Sequence, residues 1–164
     1  MGVHCHVLEY SRAPVVDGVI KGVKIIGTKS NNGRSYPQAV LTQAMAMYEG
    51  QQVYMLHPTA REKRQGSRQL DDHFGTLMDV REIPGKPGLF CDLHTKQSHP
   101  MAGLIMENAE GSTFGLSHNA VVEFGDDGTT VTKIVRVNSV DLVDQPATTH
   151  NLFEEDMELK ELQD

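Results

Sequence analysis

The sequence predicts an α+β domain: a mostly antiparallel β-barrel, closed or nearly so, with a few helices outside it. Three observations lead there. Strand-like apolar patterns recur in six places along the 164 residues. Pro84-Gly85-Lys86-Pro87-Gly88 and Gly125-Asp126-Asp127-Gly128 are turn sequences between consecutive strand patterns, which argues for antiparallel pairing. Only two helical patterns are inserted among the strands, giving the order β-α-β-β-β-α-β-β and a helical tail. A sandwich of the same strands is the alternative architecture.

The elements follow in chain order. Residues 15–28 mix Val19, Val23 and Ile25 with Lys21 and Lys24, as a strand or a bent pair of strands with Gly18 and Gly22 at turn or bulge points. The next stretch, Thr28 to Ser35, is polar, and Asn32-Gly33 within it is a strong turn signal. Pro37 opens a helical run over 38–49, with Val40, Leu41, Ala44, Met45 and Tyr48 at helical spacing. Proline is tolerated in a first turn, and Gly50 suits the far end. Residues 52–56 form a short strand ending at His57-Pro58. A polar loop without periodicity, 59–69, carries Arg61, Lys63, Arg64 and Arg68; loops of that length are usually functional or mobile. Strands at 73–83 and 89–95 make one hairpin, and strands at 113–124 and 129–143 make a second. Between them, 100–108 reads as a helix with Met101, Leu104, Ile105 and Met106 facing inward. Residues 154–163 begin a short acidic helix, so the chain divides into a domain over 1–153 and an acidic tail over 154–164.

Composition narrows the function classes. With 38% hydrophobic and 23% charged residues, the chain is neither collagen-like nor wholly disordered. Its length suits one domain with a useful core. That core must rest on Val, Ile, Leu and Met, since there is no Trp. The net charge of -7 and the lack of a basic stripe argue against nucleic acid as a partner. Apolar runs are broken by Lys, so no membrane span is expected, and residues 1–10 show no signal peptide. Two cysteines, Cys5 and Cys91, fit a reduced intracellular setting. The acidity is local: residues 154–164 hold six acids against Lys160 and so carry -5 of the -7. The basic stretch from Arg61 to Arg68 is then the place to look for contacts with an acidic substrate segment.

Eight histidines each have a plain reading. His4 and His6 flank Cys5 near the terminus, without the spaced ligand pairs a metal clip needs. His94 and His99 read as surface or structural residues, and His150 lies in a polar loop after Pro146. His57 ends an apolar strand beside the basic loop, a good place for a site, although a structural histidine would look the same. Ser117, in Gly115-Leu116-Ser117-His118-Asn119, does not match the G-x-S-x-G elbow. Asp141 sits between Val140 and Leu142, and Asp is depleted in strands, so it needs an external reason; orienting a histidine would be one. His, Ser and Asp thus occur on three separate elements, which permits a triad without proving one.

Several of these motifs occur together in a recognisable order. Asn32-Gly33-Arg34-Ser35-Tyr36-Pro37, Leu56-His57-Pro58, Phe114-Gly115-Leu116-Ser117-His118-Asn119 and Val140-Asp141-Leu142-Val143-Asp144-Gln145-Pro146-Ala147 resemble the prohead proteases of tailed bacteriophages. These are capsid maturation enzymes related in fold to the herpesvirus assembly proteases. The resemblance runs over about residues 16–153. It implies a herpesvirus protease-like β-barrel ringed by helices, and a serine endopeptidase. It implies Ser117 as nucleophile, His57 as base and Asp141 as third member, with Asp144 as the fallback. His73, in Asp72-His73-Phe74-Gly75, is the rival base. His118 departs from the family pattern, and in a strand its side chain would point away from that of Ser117. Backbone N–H groups beyond Ser117, or Arg64 or Arg136, are candidate oxyanion donors.

No metal and no organic cofactor is required for such acyl transfer. The implied substrates are phage scaffold and major capsid proteins, and the chain itself, inside the assembling prohead in the host cytoplasm. A homo-oligomer is compatible with this setting; nucleic acid and membrane are not expected partners. Leu159-Lys160-Glu161 fits a pattern some members cleave, so a cut after Glu161 is expected in a longer precursor. A non-catalytic assembly or scaffold-binding module on the same barrel is the competing reading, and a His-rich metal-binding domain is the third.

Overall fold

The first apolar stretch folds as two strands because Asp17 and Gly18 turn it back, at φ 50° and 80°. Positive φ at both central residues is what a two-residue type I′ hairpin requires. The result is β1 (Val15–Val16) paired with β2 (Val19–Ile26), Val16 opposite Val19. The register of β2 against its other neighbour slips between Ile20 and Val23, around Gly22, as the glycine there predicts. Pro37 then precedes α1 (Gln38–Tyr48), which buries Leu41, Ala44 and Tyr48. β3 (Gln52–Met55) follows. The computed structural model describes residues 15–30, 33–56, 59–107 and 114–144. The expected acidic helix at 154–163, Cys5, His4, His6, His57 and His150 lie outside these described residues.

The segment after β3 departs from expectation. It is not an aperiodic loop but holds α2 (Ala60–Gln65), followed by a 3-10 turn at Leu70–Asp72. Thr59 and Glu62 form a reciprocal capping box: the Glu62 N–H donates to Thr59 Oγ1 at 3.2 Å, and the Thr59 N–H donates to Glu62 Oε1 at 2.9 Å. Gly66 ends the helix in the left-handed region. β4 (His73–Ile83) and β5 (Lys86–Thr95) meet across Pro84-Gly85 alone, since Ile83 pairs with Lys86. Lys86, Pro87 and Gly88, expected in the turn, belong to the strand. The third helix, α3 (Ala102–Glu107), is shorter than predicted and buries Ala102 and Ile105. Leu104 faces outward, 51% exposed, against the inward expectation. A helix of six residues presents too narrow a face to bury every apolar residue in it.

β6 (Phe114–Phe124) and β7 (Val131–Asp144) complete the fold as a long hairpin. Asp127 orders its turn, accepting from the N–H groups of Thr129 and Thr130 at 2.9 and 2.8 Å and from the Thr130 hydroxyl. The Thr130 hydroxyl leads these bonds in holding the Asp127 carboxyl down at about 2. A depressed carboxylate stabilises the fold above its unfolded pKa and loses that contribution as pH falls through the folded value. Acid-induced loosening of this turn is therefore expected between about pH 4 and pH 2. Amide exchange of Thr129 and Thr130 measures it, and Asp127→Asn should flatten the response.

All described strands join one sheet, in the order β1-β2-β5-β4-β3-β7-β6. Every pair is antiparallel except β3 with β7. The sheet curls into a half-barrel of six main strands, far enough that β2 and β6 approach each other. Ser35 stitches the loop after β2 to the start of β7: its N–H donates to the Thr129 carbonyl at 3.0 Å, and its carbonyl accepts from Val131 at 2.9 Å. α1 packs on the core face against β4, β5 and β7, so the fold is α+β with few helices, as predicted. Cys91 lies in this core, where burial pushes its thiol above the ordinary range and so disfavours the reactive thiolate.

Candidate functional site

β6 is buried on both faces, and its two faces differ in chemistry. Leu116, His118 and Ala120 are buried together with their cross-strand partners Leu142 and Val140 on β7. His118 is clamped there: Tyr36 Oη lies 3.1 Å from its Nε2 and Tyr48 Oη 2.9 Å from its Nδ1. A neutral imidazole donates through one nitrogen and accepts through the other, so two tyrosine hydroxyls fit it. Its neighbour Ser117 therefore belongs to the opposite face. That outcome follows the alternation expected from sequence and removes His118 as a base for Ser117.

The opposite face is polar, and strand register aligns it. Ser117 on β6 pairs with Asp141 on β7, Asp141 pairs with Tyr54 on β3, and Tyr54 pairs with His73 on β4. Directly opposed residues share a face, with Cβ atoms about 4.5–5.5 Å apart in antiparallel pairs. Ser117 and Asp141 are thus immediate neighbours, 2% and 0% exposed. Asn119 and Ser139 form the next such pair on the same face.

His73 sits in this row but not beside Ser117. Two strands, β3 and β7, intervene, a separation of about 14 Å at normal strand spacing. Its ring is engaged elsewhere, tilted against Tyr54 with centroids 5.4 Å apart. Lys96 Nζ donates to Nδ1 at 2.6 Å, and Nε2 donates to the Gly75 carbonyl at 3.2 Å. Burial, then the Lys96 and His99 charges, hold its pKa below the ordinary value. Both ring nitrogens of His73 are thus engaged away from Ser117. His94 is exposed, and His99 binds the Asp71 carbonyl and the Met101 N–H, both as expected for surface or structural residues.

β3 points toward the same row. Its parallel pairing sets Tyr54 against Asp141 and Met55 against Leu142, and the Leu56 N–H extends it by donating to the Leu142 carbonyl at 2.8 Å. His57 is the next residue in sequence. Leu56 has φ 63°, a strained backbone for a side chain of its size. Asp144 pairs with Phe114, three rungs from the Ser117–Asp141 pair.

Arg68, which the charge pattern placed only in a substrate-facing basic stretch, holds the row together. Arg68 Nη1 donates to Asp141 Oδ1 at 2.9 Å, and Ser139 Oγ donates to the same oxygen at 3.0 Å. Arg68 Nη2 donates to the Leu56 carbonyl at 2.6 Å, and its guanidinium covers the Tyr54 ring at 4.5 Å. Glu62 stands 3.8 Å from Arg68 Nε. The Thr59 N–H holds the Glu62 carboxyl below the usual range, aided by the Gln69 N–H and Arg68. Arg68 is therefore turned into the sheet, not outward toward a substrate as the charge pattern had indicated. The signal for this is local: Thr59-x-x-Glu62 followed by Gly66 marks a short helix capped at both ends, after which residue 68 meets the sheet.

A cleft of about 430 Å³ opens beside the row, lined by Tyr54, Lys63, Arg68, Asn119, Arg136 and Ser139 among others. Arg136 is exposed at its wall and donates to Asn138 Oδ1 at 2.9 Å; Arg64 is exposed on α2. Neither is paired in strand register with Ser117. Among the described residues no group of three His, Cys, Asp or Glu is arranged to hold a metal ion, and no helix is long and apolar enough to cross a membrane. No protein-family model, curated protein or solved structure matches the chain.

Proposed function

We propose that the chain is a serine endopeptidase of the prohead-protease kind, on a herpesvirus protease-like fold, with Ser117 as nucleophile, His57 as base and Asp141 as third member. One observation carries this reading. A buried serine and a buried aspartate are cross-strand neighbours on a polar face, and the strand that leads into His57 ends against the same row. A carboxylate buried with a serine beside it has no role in packing an apolar core. Ser117 Oγ attacks the peptide carbonyl carbon as His57 accepts its proton. The tetrahedral intermediate then expels the amine, which takes that proton, and leaves an acyl-enzyme. Water, deprotonated by His57, hydrolyses the ester and restores Ser117. Asp141 holds the imidazole in the tautomer that accepts from Ser117.

The proposed substrates are scaffold and capsid proteins of a phage prohead, and the chain's own precursor after Glu161. A second reading, a non-catalytic assembly module, draws on the 2% exposure of Ser117, which shields the hydroxyl from a substrate. Reaction of the full chain with a fluorophosphonate probe separates the two. Stoichiometric labelling at Ser117 supports the protease; no labelling, alone and in assembled particles, supports the module.

A further inference from the structure

We infer that Arg68 is a positioning residue of this site, fixing the Asp141 carboxylate and the backbone entering His57 with a single rigid group; this rests on the protease reading above. Asp141 has no solvent exposure, and a buried carboxylate requires a charged partner as well as hydrogen bonds. Ser139 supplies a neutral donor, and Arg68 supplies the charge. The guanidinium is planar, so its bonds to Asp141 and Leu56 are coupled in geometry, and Nη1 also donates to Ser139 Oγ at 3.3 Å. Nη1 holds Asp141 on β7 at 2.9 Å while Nη2 holds the Leu56 carbonyl, past the end of β3, at 2.6 Å. One fork thus sets the relation between the third member and the residue preceding the base.

Although Nε itself makes no hydrogen bond among the described residues, an aromatic ring and a carboxylate flank the fork. The Tyr54 ring lies under it at 4.5 Å, on the row between Asp141 and His73. Glu62 of α2 lies 3.8 Å from Nε, and Glu62 is itself fixed by Thr59 and Gln69. Leu56 at φ 63° needs external support to keep its strained backbone, and a charge-assisted bond to its carbonyl is such support. The side chain of Arg68 is 11% exposed and both its Nη atoms are committed, so it acts through Asp141 and Leu56, not on the peptide.

The test is the labelling kinetics of the full chain with a fluorophosphonate probe, for the parent, Arg68→Gln and Arg68→Lys. Lysine keeps the charge that Asp141 needs but cannot reach both acceptors at once, so it carries the test if the Gln variant does not fold. We expect the labelling rate constant of each folded variant to fall by roughly tenfold to a hundredfold, the scale of a small misplacement of reacting groups. The final labelled fraction should stay at one probe per chain. A purely structural role would lower the labelled fraction and leave the rate constant of the remaining molecules at the parent value; that result overturns the inference. So does labelling of both variants at the parent rate. A parent that does not label at Ser117 overturns the protease reading itself, and the role of Arg68 falls with it.

Discussion

Ser117→Ala is expected to lose essentially all peptide cleavage and all fluorophosphonate labelling. In a triad the nucleophile's removal costs on the order of a millionfold in turnover, because His57 and Asp141 then have no oxygen to activate. Folding should survive. Alanine fits wherever serine did, and losing the hydroxyl's hydrogen bonding costs about 1 kcal/mol. Circular dichroism and a melting curve close to the parent's are the necessary control. The decisive comparison is the rate at which scaffold or capsid substrate is cut by variant and parent. Equal rates would remove Ser117 as nucleophile and turn the Ser117–Asp141 pair into a structural feature of the β6–β7 hairpin.

Tyr48→Ala is expected to have the largest effect on stability. Tyr48 is fully buried at the end of α1, and its hydroxyl bonds His118 Nδ1 at 2.9 Å. Truncating a buried aromatic to Ala costs about 3–5 kcal/mol through lost burial and the cavity left behind. That is a large share of a small domain's stability of about 5–15 kcal/mol. Tyr48→Phe keeps the ring and removes only the hydroxyl, so it should cost about 1 kcal/mol. Urea unfolding of the two variants separates packing from the hydrogen bond. Similar losses in both would show that the hydroxyl, not the ring, ties α1 to β6.

Most strands and the two longer helical patterns were legible because their causes are local. Gly18 and the stretch Pro84 to Gly88 are read as turn points from composition, since glycine adopts positive φ at little cost. The spacing of Leu41, Ala44 and Tyr48 announces the buried face of α1. α2 was also within reach, through its capping box, but Ala60 is its one apolar residue, so it leaves no periodic apolar signal. Lys86 to Gly88 resemble a turn in sequence but open β5, because the start of a strand tolerates Pro and Gly.

The site divides along the same line. By itself the sequence determined which residues carry reactive groups, and that Ser117 and His118 must face opposite ways, because side chains alternate along any strand. It ranked His57 over His73, and Asp141 over Asp144, only through a family resemblance, since a triad is a spatial arrangement among distant segments. Tertiary structure decided that Asp141 lies opposite Ser117, that two strands separate His73 from it, and that Arg68 belongs to the row. The physical reason is that register is fixed by the parallel β3–β7 pairing and the β6–β7 hairpin as a whole. A shift of one residue in either would send every polar group on this face into the core.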